Sequence, residues 1–246
     1  MKIIAADIGN SAIKIGFQSD SEFMAFRLNS PQQLKDLDLP QVDCFWSVCS
    51  VNQIKCTQLK NWVQTQWPND YFHEISHDEI PLQSNVDDRQ QVGLDRLVAA
   101  FQANQYRPDN EELVVIDAGT AVTIDLIDSE SVFQGGVIFP GAGTNLQSLA
   151  KAACDLPDLT IEEFDLTMLA TNPIGKNTRD AILSGIFHSQ IESIINIANQ
   201  LTKDGNVVAT GGESKLLANF LPKSWKFCDQ LVLQGTCEIG RLHRRQ

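Results

Sequence analysis

The sequence of 246 residues lacks a long hydrophobic run, and its mean hydropathy is −0.14. A membrane-spanning helix needs about 20 consecutive apolar residues, so the sequence predicts no transmembrane segment. The N-terminal stretch MKIIAADIGN contains a short apolar run that Asp7 interrupts, which predicts a first β-strand rather than a secretory signal peptide. We therefore expect a cytoplasmic protein with no membrane partner.

Basic residues are scarce, because 19 Lys and Arg stand against 31 Asp and Glu and give a net charge of −12. An acidic surface repels phosphate backbones, so we expect no nucleic-acid partner. The charge does not exclude ATP, because backbone amides and bound cations can outweigh the overall field locally.

Several familiar motifs are also missing. The six cysteines form no CxxC pair, and free thiols are expected in a cytosolic chain of this size. The four histidines show no HExxH or comparable spacing, so local spacing predicts no zinc site. Neither GxxxxGK[ST] nor GxGxxG occurs, which excludes the P-loop class and gives no support to a dinucleotide fold.

A repeated motif is present instead. DIGNSAIK (7–14) and DAGTAVTID (117–125) each continue an apolar strand into a turn of small residues and a returning strand, and they begin 110 positions apart. One such motif alone would equally suit a plain β-hairpin. Two copies, each opening half of the chain, favour two turns that bind the phosphates of one nucleotide.

The element pattern predicts an α/β chain with two domains, residues 1–110 and 111–246, that meet in the loop RPDNEE at 107–112. Strands are expected at 23–28, 43–51 and 71–75 and within the two hairpins, VFQGGVIFPG and NVVAT. Helices are expected at 52–67, 94–104, about 144–153, 178–201 and 214–220.

Three further motifs have both a structural and a functional interpretation. VATGGES (208–214) fits a glycine turn before a helix, or a close backbone approach to adenosine. GLDR (93–96) starts a helix, where an Asp is commonly a cap or dipole partner and can instead accept the proton of a substrate hydroxyl beside an Arg that holds an acid group. Thr178 suits a helix cap or a ligand contact.

Taken together, DIGNSAIK, GLDR, DAGTAVTID, GGVIFPG, GKNTRDAILSG and ATGG resemble type III pantothenate kinases of the actin, sugar-kinase and heat-shock ATPase superfamily, in the family's order. The resemblance implies two tandem ribonuclease-H-like domains with a nucleotide cleft between them. It also implies ATP, Mg²⁺, a monovalent cation (K⁺ or NH₄⁺), the substrate pantothenate and a homodimer. The segment NVDDRQQV lacks the Tyr that the family usually has there, and Val86 is nearest to that place.

The resemblance assigns roles by motif. Asp95 would be the general base, Asp117 a monovalent-cation ligand, and Asp7 a contact of Mg²⁺ through water. The implied ATP contacts are Asp7, Ile8, Gly9, Asn10, Ser11, Ala12, Ile13, Lys14, Thr120, Gly211 and Gly212. The implied pantothenate contacts are Gly93, Leu94, Asp95, Arg96 and Thr178.

Two other functions fit the same motifs. One is a nucleotide-binding regulatory protein without kinase activity, although such a switch needs neither Asp95 nor Arg96. The other is a kinase of the same fold that phosphorylates another small hydroxyl compound, such as a sugar.

Overall fold

A computed structural model describes residues 1–20, 22–153, 155–165, 173–203 and 205–245. The chain forms two compact units. The first contains Met1–Tyr106, Ser131–Phe133 and Gln230–Gln246, and the second contains Arg107–Glu130 and Gln134–Asp229. Within the described ranges, every helix is too short or too polar to span a lipid bilayer.

Helices and strands are mixed along the chain. The α-helices are α1 (Gln53–Gln66), α2 (Leu94–Asn104), α3 (Ala142–Ala152), α4 (Thr178–Leu201), α5 (Ser214–Leu217) and α6 (Leu231–His243). Short 3-10 turns lie at Pro31–Asp36, His77–Glu79, Arg89–Gln91 and Ile161–Glu163.

The first unit contains a five-stranded sheet in the order β3-β2-β1-β4-β5. Its strands are β1 (Lys2–Ile8), β2 (Ile13–Gln18), β3 (Phe23–Leu28), β4 (Cys44–Ser50) and β5 (Tyr71–Glu74). β1 to β3 are antiparallel, whereas β4 and β5 run parallel to β1. The central strands β1 and β4 are buried almost throughout, as expected of strands covered on both faces.

The C-terminal helix α6 packs on this first sheet and on α2. Ser47 on β4 donates a hydrogen bond of 2.8 Å to the carbonyl of Thr236. A Cβ added at Gly235 would lie 2.7 Å from the carbonyl oxygen of Val98, so only a glycine permits this approach. Residues 230–246 therefore belong to the first unit, whereas the sequence analysis assigned them to the second domain.

The second unit contains strands in the order β11-β10-β7-β8-β9. They are β7 (Leu113–Ala118), β8 (Ala121–Ile127), β9 (Val132–Pro140), β10 (Val207–Thr210) and β11 (Lys226–Phe227). The first two residues of β9, at 132–133, pair with the short strand β6 (Gln83–Ser84) within the first unit. The core of the second unit forms between the sheet and α4, whose buried face includes Leu183, Phe187 and Ile194.

The repeated motif forms the same arrangement in both units. Asp7 pairs with Lys14 in the first hairpin, and Asp117 pairs with Thr123 in the second. In each unit a parallel strand, β4 or β10, lies beside the strand that carries the Asp. The predicted α/β fold of two related halves is confirmed.

Several boundaries differ from the sequence expectation. α3 begins at Ala142 instead of 144, and α5 ends at Leu217 instead of 220. Cys44, Cys49, Cys56, Cys228 and Cys237 are free thiols. The sixth cysteine, Cys154, lies outside the described residues, as do residues 166–172 of the segment before Pro173.

Candidate active site

The loop between β1 and β2 is a tight turn whose Gly9 amide donates to the carbonyl of Ala12 at 3.1 Å. The start of α1 holds this loop from one side. Lys55 Nζ donates to the carbonyl of Asn10 at 2.6 Å, and Asn52 Nδ2 donates to Asn10 Oδ1 at 3.2 Å. The turn is thus fixed in position, while Asn10 and Ser11 remain exposed.

Asp7 lies on β1 just before this turn and is only 7% exposed. Lys14, directly across the hairpin, contacts Asp7 Oδ2 at 3.1 Å. Lys14, an implied ATP contact, thus pairs with the carboxylate that the resemblance places near Mg²⁺. Because the pair is partly buried, Lys14 offsets part of the cost of placing the carboxylate there.

The GLDR segment forms the start of α2, with Gly93 at the cap position and Leu94 buried. Asp95 Oδ1 accepts a hydrogen bond of 2.9 Å from the amide of Arg96, in the first turn where the helix dipole favours a negative charge. The Arg96 guanidinium lies 5.9 Å from the centre of the Phe133 ring. A carboxylate and a guanidinium thus lie side by side in the first turn of the same helix.

The thiol of Cys49, on β4, is affected by the charges of both Asp7 and Asp95. This thiol is buried, and burial raises its pKa well above the ordinary value, with the charges of Asp7 and Asp95 raising it further. Asp7 and Cys49 are also direct partners in the parallel pair β1–β4. Asp7 is thus a direct neighbour of Cys49, and Asp95 lies on the helix α2 that packs on the same strand β4.

In the second unit, the hairpin turn after Asp117 contacts the glycine turn that precedes α3. The Gly119 amide donates to the Ala121 carbonyl at 3.0 Å, which closes the hairpin. The Thr120 carbonyl accepts from the Gly141 amide at 3.0 Å and from Thr144 Oγ1 at 2.6 Å. The Gly141 backbone lies so near Gly119 that an added Cβ would be 1.9 Å from the Gly119 carbonyl oxygen.

Gly211 brings a third motif to the same place. Its φ angle is +100°, and an added Cβ would lie 2.3 Å from the Ala118 carbonyl oxygen and 2.4 Å from Asp117 Oδ1. A glycine is required here for both the backbone conformation and the space. Gly212 follows in an exposed turn. Three predicted motifs, around Asp117, Gly141 and Gly211, thus meet within the second unit.

Glu213 is the residue that sequence reasoning missed in this cluster. Its carboxylate accepts hydrogen bonds from the amides of Ala142 at 3.0 Å and Gly143 at 3.3 Å, and its own amide donates to the Ala118 carbonyl at 2.9 Å. The sequence shows only a Glu directly after a glycine pair, and its burial appears only in the structure. Glu213 caps α3 from outside the helix, so these two amides already have a carboxylate partner.

We expect the stability of Glu213→Gln, compared with that of the parent chain, to increase as the pH rises. Burial raises the pKa of Glu213, and the bonds from Ala142 and Gly143 lower it only in part. A raised folded-state pKa gives stability that is present below the unfolded pKa and is lost as pH rises through the folded one. Thermal melts of both chains at about pH 4 and about pH 7.5 measure this difference, and a melting temperature of Glu213→Gln that falls relative to the parent as the pH rises would contradict it.

Thr178 is the first residue of α4 and is exposed. The preceding Asn177 caps the helix, because its side chain accepts a hydrogen bond of 2.9 Å from the Asp180 amide. The interpretation of Thr178 as the cap is therefore wrong. An added Cβ at Gly175 would lie 2.2 Å from the Ala181 amide nitrogen, so the segment before α4 packs closely on its first turn.

Two related α/β units with Asp-containing hairpins form a fold similar to that of an actin homolog. Ta0583, an archaeal actin homolog, superposes with a TM-score of 0.50 at 11% identity, over 99% of this chain and 100% of that one. This likeness concerns the fold alone.

The sequence matches are more specific. The model of the type III pantothenate kinase family matches residues 3–200, and the chain belongs to that family. A type III pantothenate kinase of Sulfurihydrogenibium sp. is 28% identical, with 95% of this chain and 97% of that protein covered. That of Lawsonia intracellularis is 30% identical, with coverages of 93% and 91%. The family suggested by the motifs is thus confirmed.

Proposed function

We propose that this chain transfers the γ-phosphoryl group of ATP to the hydroxyl of pantothenate, giving 4'-phosphopantothenate, the first step of coenzyme A biosynthesis. One observation carries the proposal beyond family membership. Asp95 lies in the first turn of α2, which packs on β4, and β4 pairs directly with β1, the strand that carries Asp7. A base for the alcohol and a carboxylate for the metal are the two acids that such a transfer needs in one region.

The residues of the two hairpins fit a nucleotide phosphate group. In this proposal Asp7, Ile8, Gly9, Asn10, Ser11, Ala12, Ile13 and Lys14 contact ATP, together with Thr120, Gly211 and Gly212. The ion pair of Asp7 with Lys14 suits a contact with Mg²⁺ through water better than direct ligation. Bound Mg²⁺ would neutralise charge on the phosphates.

The start of α2 is proposed to hold the substrate. Asp95 accepts the hydroxyl proton, and Arg96 donates to the carboxylate of pantothenate, because a guanidinium offers two parallel donors. Gly93, Leu94 and Thr178 are the remaining proposed contacts. The family resemblance also suggests a homodimer, which light scattering on the purified chain would measure.

A coupled assay of ADP release tests the function directly. We expect turnover with pantothenate and background rates with a few sugars. Turnover with a sugar alone would favour a kinase of the same fold with another substrate. ATP binding without turnover on any of these alcohols would favour a nucleotide-binding regulatory protein.

We also propose that Asp117 is a ligand of a monovalent cation, K⁺ or NH₄⁺. Replacing K⁺ by Na⁺ is then expected to lower kcat/KM, because the smaller ion fits the same oxygen ligands poorly. The comparison uses equal ionic strength, so that screening is constant. Asp117→Asn should remove the difference between the two salts, and equal rates of the parent enzyme in both salts would reject this role.

A further inference from the structure

Three side chains with metal-binding atoms meet on the first unit, near the end of the sheet edge strand β5. His73 lies on β5, Glu79 ends the 3-10 turn after it, and His243 is the last residue of α6. Glu79 Oε1 lies 2.8 Å from His73 Nε2 and 2.8 Å from His243 Nδ1. All three candidate ligand atoms fall within 4.8 Å of one another. We call these residues the His–His–Glu cluster.

The surroundings of the cluster hold these side chains in place. Ser76 donates to Glu79 Oε2 from its amide at 2.8 Å and from its hydroxyl at 2.9 Å, which directs Oε1 toward the two histidines. The two imidazoles stack with their centres 4.0 Å apart, and the Phe45 ring lies 5.8 Å and 6.0 Å from them. Ligands oriented by outer hydrogen bonds and packing are typical of metal sites.

The three side chains of the cluster differ in their exposure to solvent. The exposed fraction of the side chain is 14% for His73, 26% for Glu79 and 37% for His243. Solvent can therefore reach the cluster from the His243 side, where a water could serve as a fourth ligand. Three protein ligands plus one water is a common coordination of zinc in proteins.

A simple network of hydrogen bonds is the competing explanation. One histidine would suffice to pair Glu79, yet both rings direct a nitrogen at the same carboxylate oxygen. Each nitrogen–oxygen separation would have to open from 2.8 Å to about 3.4 Å for tetrahedral ligands about 2.1 Å from a central ion. A small rotation of the Glu79 carboxylate opens the separation from His73, and rotation of His243, at the end of its helix, opens the other.

We propose that His73, Glu79 and His243 bind one divalent transition-metal ion of the Zn²⁺ class, which fastens the C-terminal helix to the edge of the first sheet. Two imidazoles with one carboxylate favour Zn²⁺ and its transition-metal neighbours over Mg²⁺, which prefers oxygen ligands. The site is separate from the residues proposed for phosphoryl transfer, and it does not depend on that function. Local spacing could not reveal it, because His243 is far along the chain from His73 and Glu79.

The test uses the full, untagged chain after treatment with a chelator. Titration with Zn²⁺ in a calorimeter should show one ion bound per chain, and Co²⁺ should give the visible absorption of a tetrahedral site. His243→Asn and Glu79→Gln should each weaken Zn²⁺ binding at least about 10-fold. The matched control is Glu74→Gln. Glu74 lies beside His73 on β5, but its side chain pairs with Lys60 and not with the cluster.

Stability gives a second measurement that does not depend on activity. At free Zn²⁺ about 100 times its dissociation constant, the melting temperature of the parent chain should rise by about 5 °C or more. At the same free Zn²⁺, His243→Asn should lose about half of this rise or more, because the concentration is then at most about 10 times its dissociation constant. Its melt without metal should stay near that of the parent, since the side chain is partly exposed. The proposal is overturned if the parent binds no Zn²⁺, or if parent, His243→Asn and Glu79→Gln bind it equally.

Discussion

Asp95→Asn is expected to lower kcat with pantothenate by at least about 100-fold while leaving ATP affinity nearly unchanged. The amide keeps the oxygen that accepts the Arg96 amide bond, so the start of α2 should be preserved. It cannot accept the hydroxyl proton, and proton transfer to a positioned base typically contributes about 10²–10⁴-fold. Steady-state kinetics with pantothenate and a separate ATP-binding titration divide the effect between chemistry and binding.

Asp87→Asn is the matched control for this prediction. Asp87 is an exposed residue of the same unit, eight positions before Asp95, and the change in charge is identical. It should keep kcat within about twofold, because an exposed charge is screened by solvent. If Asp95→Asn turned over as fast as Asp87→Asn, Asp95 would have no part in proton transfer.

The elements that the sequence predicted well are those whose signals are local. α2 was expected at 94–104 and α4 at 178–201, and both agree with the structure, since each helix is amphipathic and begins at a clear polar or glycine signal. The two hairpins were also found, because Asp, Gly and small residues follow an apolar strand in each. Local chemistry fixes such features before any long-range contact forms.

The features that escaped the sequence analysis depend on contacts between distant residues. α6 joins the first unit through the bond from Ser47 to Thr236 and the close approach at Gly235, and neither leaves a local pattern. Glu213 looks like any acid before a helix until α3 is seen to start against it. Likewise, the histidines of the His–His–Glu cluster have no metal-binding spacing along the chain. Sequence motifs thus located both candidate hairpins. The residues that contact and support them could be identified only from the fold.

Gly211→Ala is expected to cost the second unit about 3 kcal/mol or more of stability. A φ angle of +100° is strained for any residue with a Cβ, and that atom would lie 2.3 Å from the Ala118 carbonyl oxygen, which belongs to the central strand β7. It would also lie 2.4 Å from Asp117 Oδ1, so Asp117 must move. Urea unfolding followed by hydrogen–deuterium exchange should show the loss in β7 and β10, with α1 unaffected.

Gly205→Ala separates the two causes of this effect. Gly205 also has a positive φ angle, +72°, but an added Cβ there meets nothing within 4 Å. Gly205→Ala should therefore lower stability only by the cost of a positive φ angle in alanine, about 1–2 kcal/mol. The excess loss in Gly211→Ala then measures the crowding against Ala118 and Asp117. Equal losses in the two variants would mean that β7 and β10 can separate at little cost, and that Gly211 is not needed to hold Asp117 in position.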